Sequence, residues 1–171
     1  IITKNPALVP SVTVADCVPI YLYDEVTKVF GIVHSGWKGT GIIKEAIMLA
    51  NQKYGSAPSD FCVVIGPHIN DCCYVVNEER ATYFAKEFTP DCVKPISKNQ
   101  KIDWNNGEGQ LFSLSLLKAN LSVLEKIGVK DSNIAICSDC TCCNQIFGSN
   151  RRETSQGNSF TVQAAFNYYK N

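Results

Sequence analysis

Residues 12–34, VTVADCVPIYLYDEVTKVFGIVH, constrain the fold more than any other stretch. Two runs rich in β-branched and aromatic residues flank the short break DEVTK. Each run has the length and composition of a buried strand, and the break is too short for a crossover, so the pair predicts an antiparallel hairpin. A turn centred on Glu25 and Val26 would set Cys17 directly opposite His34, with Cβ atoms about 5 Å apart. The prediction is sensitive to register, because a slip of one residue turns a side chain to the other face of the sheet. An opening hairpin argues against a doubly wound parallel sheet. Together with the helices that follow, it predicts an α+β fold with mixed β-sheets and packed helices.

Further along, Ile43, Ala46, Ile47, Ala50 and Tyr54 recur at helical spacing, with Thr40 placed to cap and Gly55 to terminate a helix over 40–54. FCVVIG, residues 61–66, reads as a short buried strand entering the loop GPHINDCCYVV. Asn77 can cap a helix running to about Phe88, with Glu78 and Glu79 favourably placed in its first turn. Residues 89–108 are polar and carry Pro90, Pro95 and Gly107, which reads as loop with room for one strand. Leu114, Leu117, Leu121, Leu124 and Ile127 mark the clearest amphipathic helix, and Gly128 stops it. NIAIC (133–137) reads as a strand, 138–158 as a long loop and SFTVQAAF (159–166) as a closing strand. No repeat, linker or low-complexity segment divides the chain, so residues 1–171 read as one domain.

The chain has 171 residues, 45% of them hydrophobic and 19% charged, enough apolar material for a core. Sixteen basic residues balance sixteen acidic ones, which gives no support for a nucleic-acid or membrane-surface partner. No apolar run approaches the roughly 18–20 residues of a membrane span. The opening IITKNPALVP lacks the build of a signal peptide, and the first residue is Ile1, not Met. Nine cysteines, an odd number that includes the adjacent pairs 72/73 and 142/143, read as mostly reduced thiols of a cytoplasmic protein.

Several groupings can carry chemistry. Cys17 and His34 are both good zinc ligands, two of the three protein ligands that a catalytic zinc needs. They also fit a metal-free nucleophilic dyad, or a buried thiol beside a strand-end histidine. HSGWKGTG, leading into the 40–54 helix, can present backbone N–H groups and Lys38 to an anion and Trp37 to a ring, or can be a tight turn that needs glycine. Arg151 and Arg152 in NRRE suit phosphate or carboxylate, or a structural bridge to Glu153. CSDCTCC (137–143) invites a zinc-ribbon reading, but its cysteines crowd together and no second C-x-x-C occurs elsewhere, which disfavours a structural metal there. His68, the one other histidine, is a weak candidate for a third metal ligand beside Cys17 and His34.

VADCVPI, HSGWKG, GPHINDCCYVV, CTCC and NRRE occur in this order over nearly the whole chain. Together they resemble the YfiH/YlmD-type family, formerly named multicopper polyphenol oxidase or laccase-like. The resemblance implies a fold similar to the catalytic domain of cytotoxic necrotizing factor. It implies a zinc-dependent purine nucleoside phosphorylase acting on adenosine, inosine, guanosine and methylthioadenosine, with adenosine deaminase as a second activity. The family's Zn2+ is held by a histidine of an upstream Q-V-H-G motif and by the residues matching Cys17 and His34. Lys38, Arg151 and Arg152 would hold phosphate, and Trp37 or Tyr74 would stack the base. The pattern departs from the family where Q-V-H-G is absent, which implies an N-terminally truncated domain lacking one ligand. It departs again at Val14 for threonine, at Lys38 for arginine, and at Asn158 where a further arginine is common. Copper polyphenol oxidase chemistry is disfavoured: a blue-copper centre would consume both histidines, and the lone Met48 lies on a predicted helix. The rivals to the nucleoside reading are a metal-free cysteine hydrolase using Cys17 and His34, and a non-catalytic binding domain.

Overall fold

The computed structural model of the chain describes residues 1–97 and 109–170; the end of the predicted 89–108 loop lies outside the described residues. The elements run β1 (Ile2–Thr3), β2 (Ser11–Val14), β3 (Val18–Asp24), β4 (Phe30–Ser35), α1 (Ile42–Tyr54), β5 (Phe61–Ile65), β6 (Val75–Asn77), α2 (Glu78–Glu87), β7 (Val93–Pro95), β8 (Leu111–Leu114), α3 (Leu116–Ile127), β9 (Ile134–Ile136), α4 (Asn150–Ser155) and β10 (Gln163–Phe166). Five strands form a mixed sheet in the order β1-β4-β3-β5-β9, in which only β5 and β9 run parallel. A β10-β2 ribbon and a β6-β8-β7 sheet complete the described strands. The fold is α+β with mixed sheets, as the opening hairpin predicts.

The hairpin itself differs in two respects. The predicted first strand is broken: β2 leaves the main sheet to pair with β10, and the chain turns at Asp16, whose φ is 77°. The β3–β4 register also sets Pro19, not Cys17, opposite His34. The turn is longer than a two-residue connection, for a local reason. Asp24 and Val29 close it with a 2.8 Å backbone hydrogen bond. The Asp24 carboxylate accepts the N–H groups of Val26 and Thr27 and the Thr27 hydroxyl, while Lys28 takes a left-handed conformation, φ 62°. The resulting offset is two residues. Because side chains alternate with period two, Cys17 and His34 stay on the same face as diagonal neighbours.

Helix α1 starts at Ile42 rather than Thr40. Gly41 occupies the cap position with φ 96°, and the Thr40 hydroxyl donates back to the Gly36 carbonyl, 2.8 Å, instead of capping. For α2 the Asn77 side chain accepts the Arg80 N–H, as predicted. In α3 Ser115 caps and Gly128 ends the helix in the left-handed region; Leu114 belongs to β8 instead. The buried face of α3 is Leu116, Ala119, Asn120, Val123 and Leu124, with Leu117 and Leu121 at its edge. Full burial of a side chain such as Leu124 contributes about 1.5–3 kcal/mol. Helix α1 packs on β4 and against α3. A buried hydrogen bond from Ser35 Oγ to Asn120 Oδ1, 2.9 Å, ties the end of β4 to α3. The predicted loop 138–158 contains the short helix α4, capped by the Ser149 side chain. Among the described residues no helix is long and apolar enough to cross a membrane.

Candidate functional site

The site is built around the break between β2 and β3. Asp16 holds it open: its Oδ1 accepts the Thr141 hydroxyl and its Oδ2 accepts the Arg151 backbone N–H, each at 2.7 Å. Its carbonyl accepts the Ile69 N–H at 2.9 Å. A left-handed non-glycine residue costs about 1–2 kcal/mol. Hydrogen bonds to a carboxylate contribute about 1.5–3 kcal/mol each, so the clamp outweighs the strain. Asp16 thereby joins three distant segments and aims Cys17 away from the core.

His34 emerges near the end of β4 with its side chain exposed. A Cβ at Gly36 would lie 2.9 Å from Cys17 Sγ and 3.8 Å from His34 Nε2. Glycine there leaves the space between thiol and imidazole free. Burial pushes the Cys17 thiol pKa up, and the Asp16 carboxylate adds to the effect. That is the opposite of what a free nucleophilic thiolate needs. A thiol and an imidazole nitrogen facing an open space suit Zn2+, whose binding deprotonates the thiol. Among the described residues no third histidine, cysteine or carboxylate closes with these two to ligand spacing.

The two side chains open into a cleft of about 510 Å³. Its polar wall includes Trp37, Tyr74, Arg80 and Arg151, and its apolar wall Ile69, Leu116, Phe160 and Val162. The Arg80 guanidinium carbon lies 4.0 Å from the Trp37 ring centroid, and that of Arg151 lies 5.4 Å from the Tyr74 centroid. Arg151 also donates from both terminal nitrogens to the Val75 carbonyl, at 3.2 and 3.3 Å. Burial raises the pKa of the Tyr74 hydroxyl, opposed by the charges of Arg80 and Arg151. Two cation–aromatic pairs beside apolar walls can take a flat ring and an anion together.

The structure brings Cys17, His34, Trp37, Tyr74 and Arg151 to this cleft and sends the other sequence-predicted residues elsewhere. Lys38 lies 5.2 Å from the Trp37 centroid but lines a separate groove of about 490 Å³ with Gly39–Ile42 and Lys126. The glycine turn and the start of α1 face that groove because the helix begins only after Gly41. Arg152 is spent on its own loop: Nη1 donates to the carbonyls of Thr141, at 2.7 Å, and Cys142, and Nη2 to that of Phe147, at 2.6 Å. It also forms the predicted bridge to Glu153, 3.2 Å. His68 is fully buried, pairs across a bridge with Cys140 and places Nδ1 2.8 Å from the Gly66 carbonyl. It does not join Cys17 and His34. Arg80 and Asp16 were not singled out from sequence. Arg80 carries a faint signal as the one basic residue in the first turn of a well-capped acidic helix, and Asp16 sits inside VADC without chemistry of its own.

A second grouping lies behind the cleft. The Sγ atoms of Cys72, Cys73, Cys140 and Cys143 all lie within 4.8 Å of one another. Cys140 and Cys143, spaced as C-x-x-C, meet the adjacent pair Cys72–Cys73, a partner that the sequence spacing did not reveal. Cys137 stands outside the group, 3.5 Å from Asp139 Oδ2.

Comparisons with known proteins agree with this architecture. The family model described as multi-copper polyphenol oxidoreductase laccase matches residues 1–164. A protein of Geobacillus stearothermophilus named purine nucleoside phosphorylase YlmD is 32% identical over 154 residues, 88% of this chain and 53% of that protein. One named adenosine deaminase RL5, from an unknown prokaryotic organism, is 29% identical over 94% of this chain and 60% of its own length. The crystal structure of the hypothetical protein YfiH of Bacillus licheniformis superposes with a TM-score of 0.82 at 30% identity, covering 96% of this chain and 59% of that one. The chain thus spans somewhat over half the length of these relatives. With a family model matched from Ile1 to Ala164 and a shared fold, the chain belongs to the multi-copper polyphenol oxidoreductase laccase family, in which relatives carry the names of nucleoside-processing enzymes.

Proposed function

We propose that the cleft processes purine nucleosides, chiefly by phosphorolysis, with adenosine deamination as a second reaction. The observation that carries this reading is the meeting of Cys17 and His34 at an open cleft whose wall holds two arginine–aromatic pairs. In this reading Cys17 and His34 hold Zn2+ with a third ligand from outside the described residues. Bound there, Zn2+ would supply Lewis acidity and lower the pKa of a water molecule.

The chain's own side chains supply the rest. Arg151, fixed by Val75 and Tyr74, and Arg80 over Trp37 present positive charge to phosphate and to the anionic product. Trp37 or Tyr74 offers a ring face to the base, and Phe160 and Val162 shield it from water. In this geometry Arg80 takes the place of Arg152, which is committed to loop carbonyls, while Lys38 acts only from the neighbouring groove.

The names of the relatives support this chemistry. The upward push on the Cys17 thiol weighs against the metal-free hydrolase. The test is chromatographic detection of adenine released from adenosine by the purified protein, with and without inorganic phosphate and added Zn2+. Phosphate-dependent release is the expected result. No release under any of these conditions overturns the reading.

A further inference from the structure

We propose that Cys72, Cys73, Cys140 and Cys143 form a second metal site, a closed four-thiolate centre for Zn2+ that locks two loops behind the cleft. It does not rest on the nucleoside reading. Zn–S bonds of about 2.3 Å at tetrahedral angles place sulfur atoms about 3.8 Å apart. The separations here are 3.8 Å for Cys72–Cys73, 3.8 Å for Cys72–Cys143 and 3.4 Å for Cys73–Cys143. Cys72, Cys73 and Cys143 therefore already stand near three vertices of the tetrahedron around a zinc ion, and Cys140 Sγ lies within 4.8 Å of each.

The backbone is arranged in the same sense. Cys140 to Asn144 forms a tight turn, with the Cys140 carbonyl accepting the N–H groups of Cys143, 3.1 Å, and Asn144, 2.8 Å. This lets two cysteines three positions apart face one point. The Asn70 N–H lies 3.4 Å from Cys140 Sγ, where it would stabilise a thiolate. Four thiolates around a divalent ion leave a net charge of minus two. The Arg152 guanidinium, bound to the Thr141 and Cys142 carbonyls, sets a cation in the same loop. Four sulfur donors at tetrahedral spacing favour zinc over harder cations. Binding forms four Zn–S bonds and breaks four S–H bonds, with the protons passing to solvent and no electron transferred.

The site has a structural consequence. One pair of ligands immediately precedes Tyr74, a wall of the cleft. The other pair brackets Thr141, whose hydroxyl holds Asp16. A zinc ion would fix both loops relative to Cys17 without touching substrate.

Alkylation mapping of the intact protein, purified under reducing conditions, tests this directly. Cys72 and Cys143 are exposed and, as free thiols, are accessible to iodoacetamide, so their protection is judged by its change on chelation, with exposed Cys62 as the labelling control. The expected result is that Cys62 labels while Cys72 and Cys143 are protected, that protection is lost on adding a chelator, and that added Zn2+ restores it. The Cys72→Ser/Cys143→Ser variant should lose one equivalent of bound zinc by elemental analysis. His34→Ala should keep the protection of Cys72 and Cys143. Cys17 is read from a separate peptide, so failure at the cleft and failure here are distinguished. Labelling of Cys72 and Cys143 in zinc-loaded protein, an intact mass showing these thiols joined as disulfides, or zinc content unchanged in the double serine variant would each overturn the proposal.

Discussion

Two cysteine-bearing regions of this molecule lie close together and are built in opposite ways. At the cleft, one thiol and one imidazole face open space, and Gly36 keeps that space free of side-chain atoms. Behind it, four thiols lie within 4.8 Å of one another, three of them at sulfur separations of 3.4–3.8 Å. The first arrangement leaves a position for water or substrate and the second leaves none. That contrast is the physical difference between a site that can do chemistry and one that can only hold a structure together. Asp16 joins the two: its carboxylate is fixed by Thr141, from the thiol loop, while the residue that follows it is Cys17.

The contrast is broken most severely at the cleft. His34→Ala should reduce phosphate-dependent adenine release by more than about 100-fold, beyond the usual cost of losing an outer-shell partner of a metal ligand. The His34 side chain is exposed, so the melting temperature should stay near that of the wild type. A large drop in melting temperature alongside the loss would mean that His34 is structural. Next, Asp16→Ala should weaken both regions. Losing a buried carboxylate that accepts two 2.7 Å hydrogen bonds, at about 1.5–3 kcal/mol each, costs about 3–6 kcal/mol, at roughly 2–4 °C in melting temperature per kcal/mol for a chain of this size. Adenine release should fall with it, and unchanged calorimetry would show that the clamp is not what positions Cys17.

The smallest effect serves as a distant control. Burial alone would raise the Asp24 carboxyl pKa, but hydrogen bonds from Ser56, Thr27 and Val26 outweigh it and hold the group below its ordinary value of 3.8. The folded-state pKa is therefore below the unfolded one. This contribution to stability is present above the unfolded value and is lost as pH falls through the folded one. Asp24→Asn should flatten the fall in melting temperature below about pH 4 without changing zinc content in either region. An equally steep acid transition in the variant would remove Asp24 from the account.

Much of the fold was legible because its signals are local. Runs of buried character, rich in β-branched and aromatic residues, marked β3, β4 and β5, and a side-chain cap at Asn77 and glycine at 55 and 128 marked helix ends. Short elements were less legible: α4 has six residues, too few to show a helical period, and its start depends on Ser149 capping a helix that begins in an apparent loop. The Cys17–His34 pairing was legible in face but not in register, because the Asp24 turn takes four loop residues rather than two.

The sequence by itself determined the chemistry available: which side chains could bind metal, carry charge or stack, and that two of them would share one face of a hairpin. Period-two alternation along a strand is a local rule and survives an error of two residues in register. Only the tertiary structure decided which groups meet. Cys72–Cys73 and Cys140–Cys143 are separated by more than sixty positions, Arg80 reaches Trp37 in the turn before α1 from helix α2, and Arg151 and Arg152, neighbours in sequence, point to the cleft and to loop carbonyls respectively. Such meetings depend on long-range loop closure, and no local pattern of residues records where a loop will return.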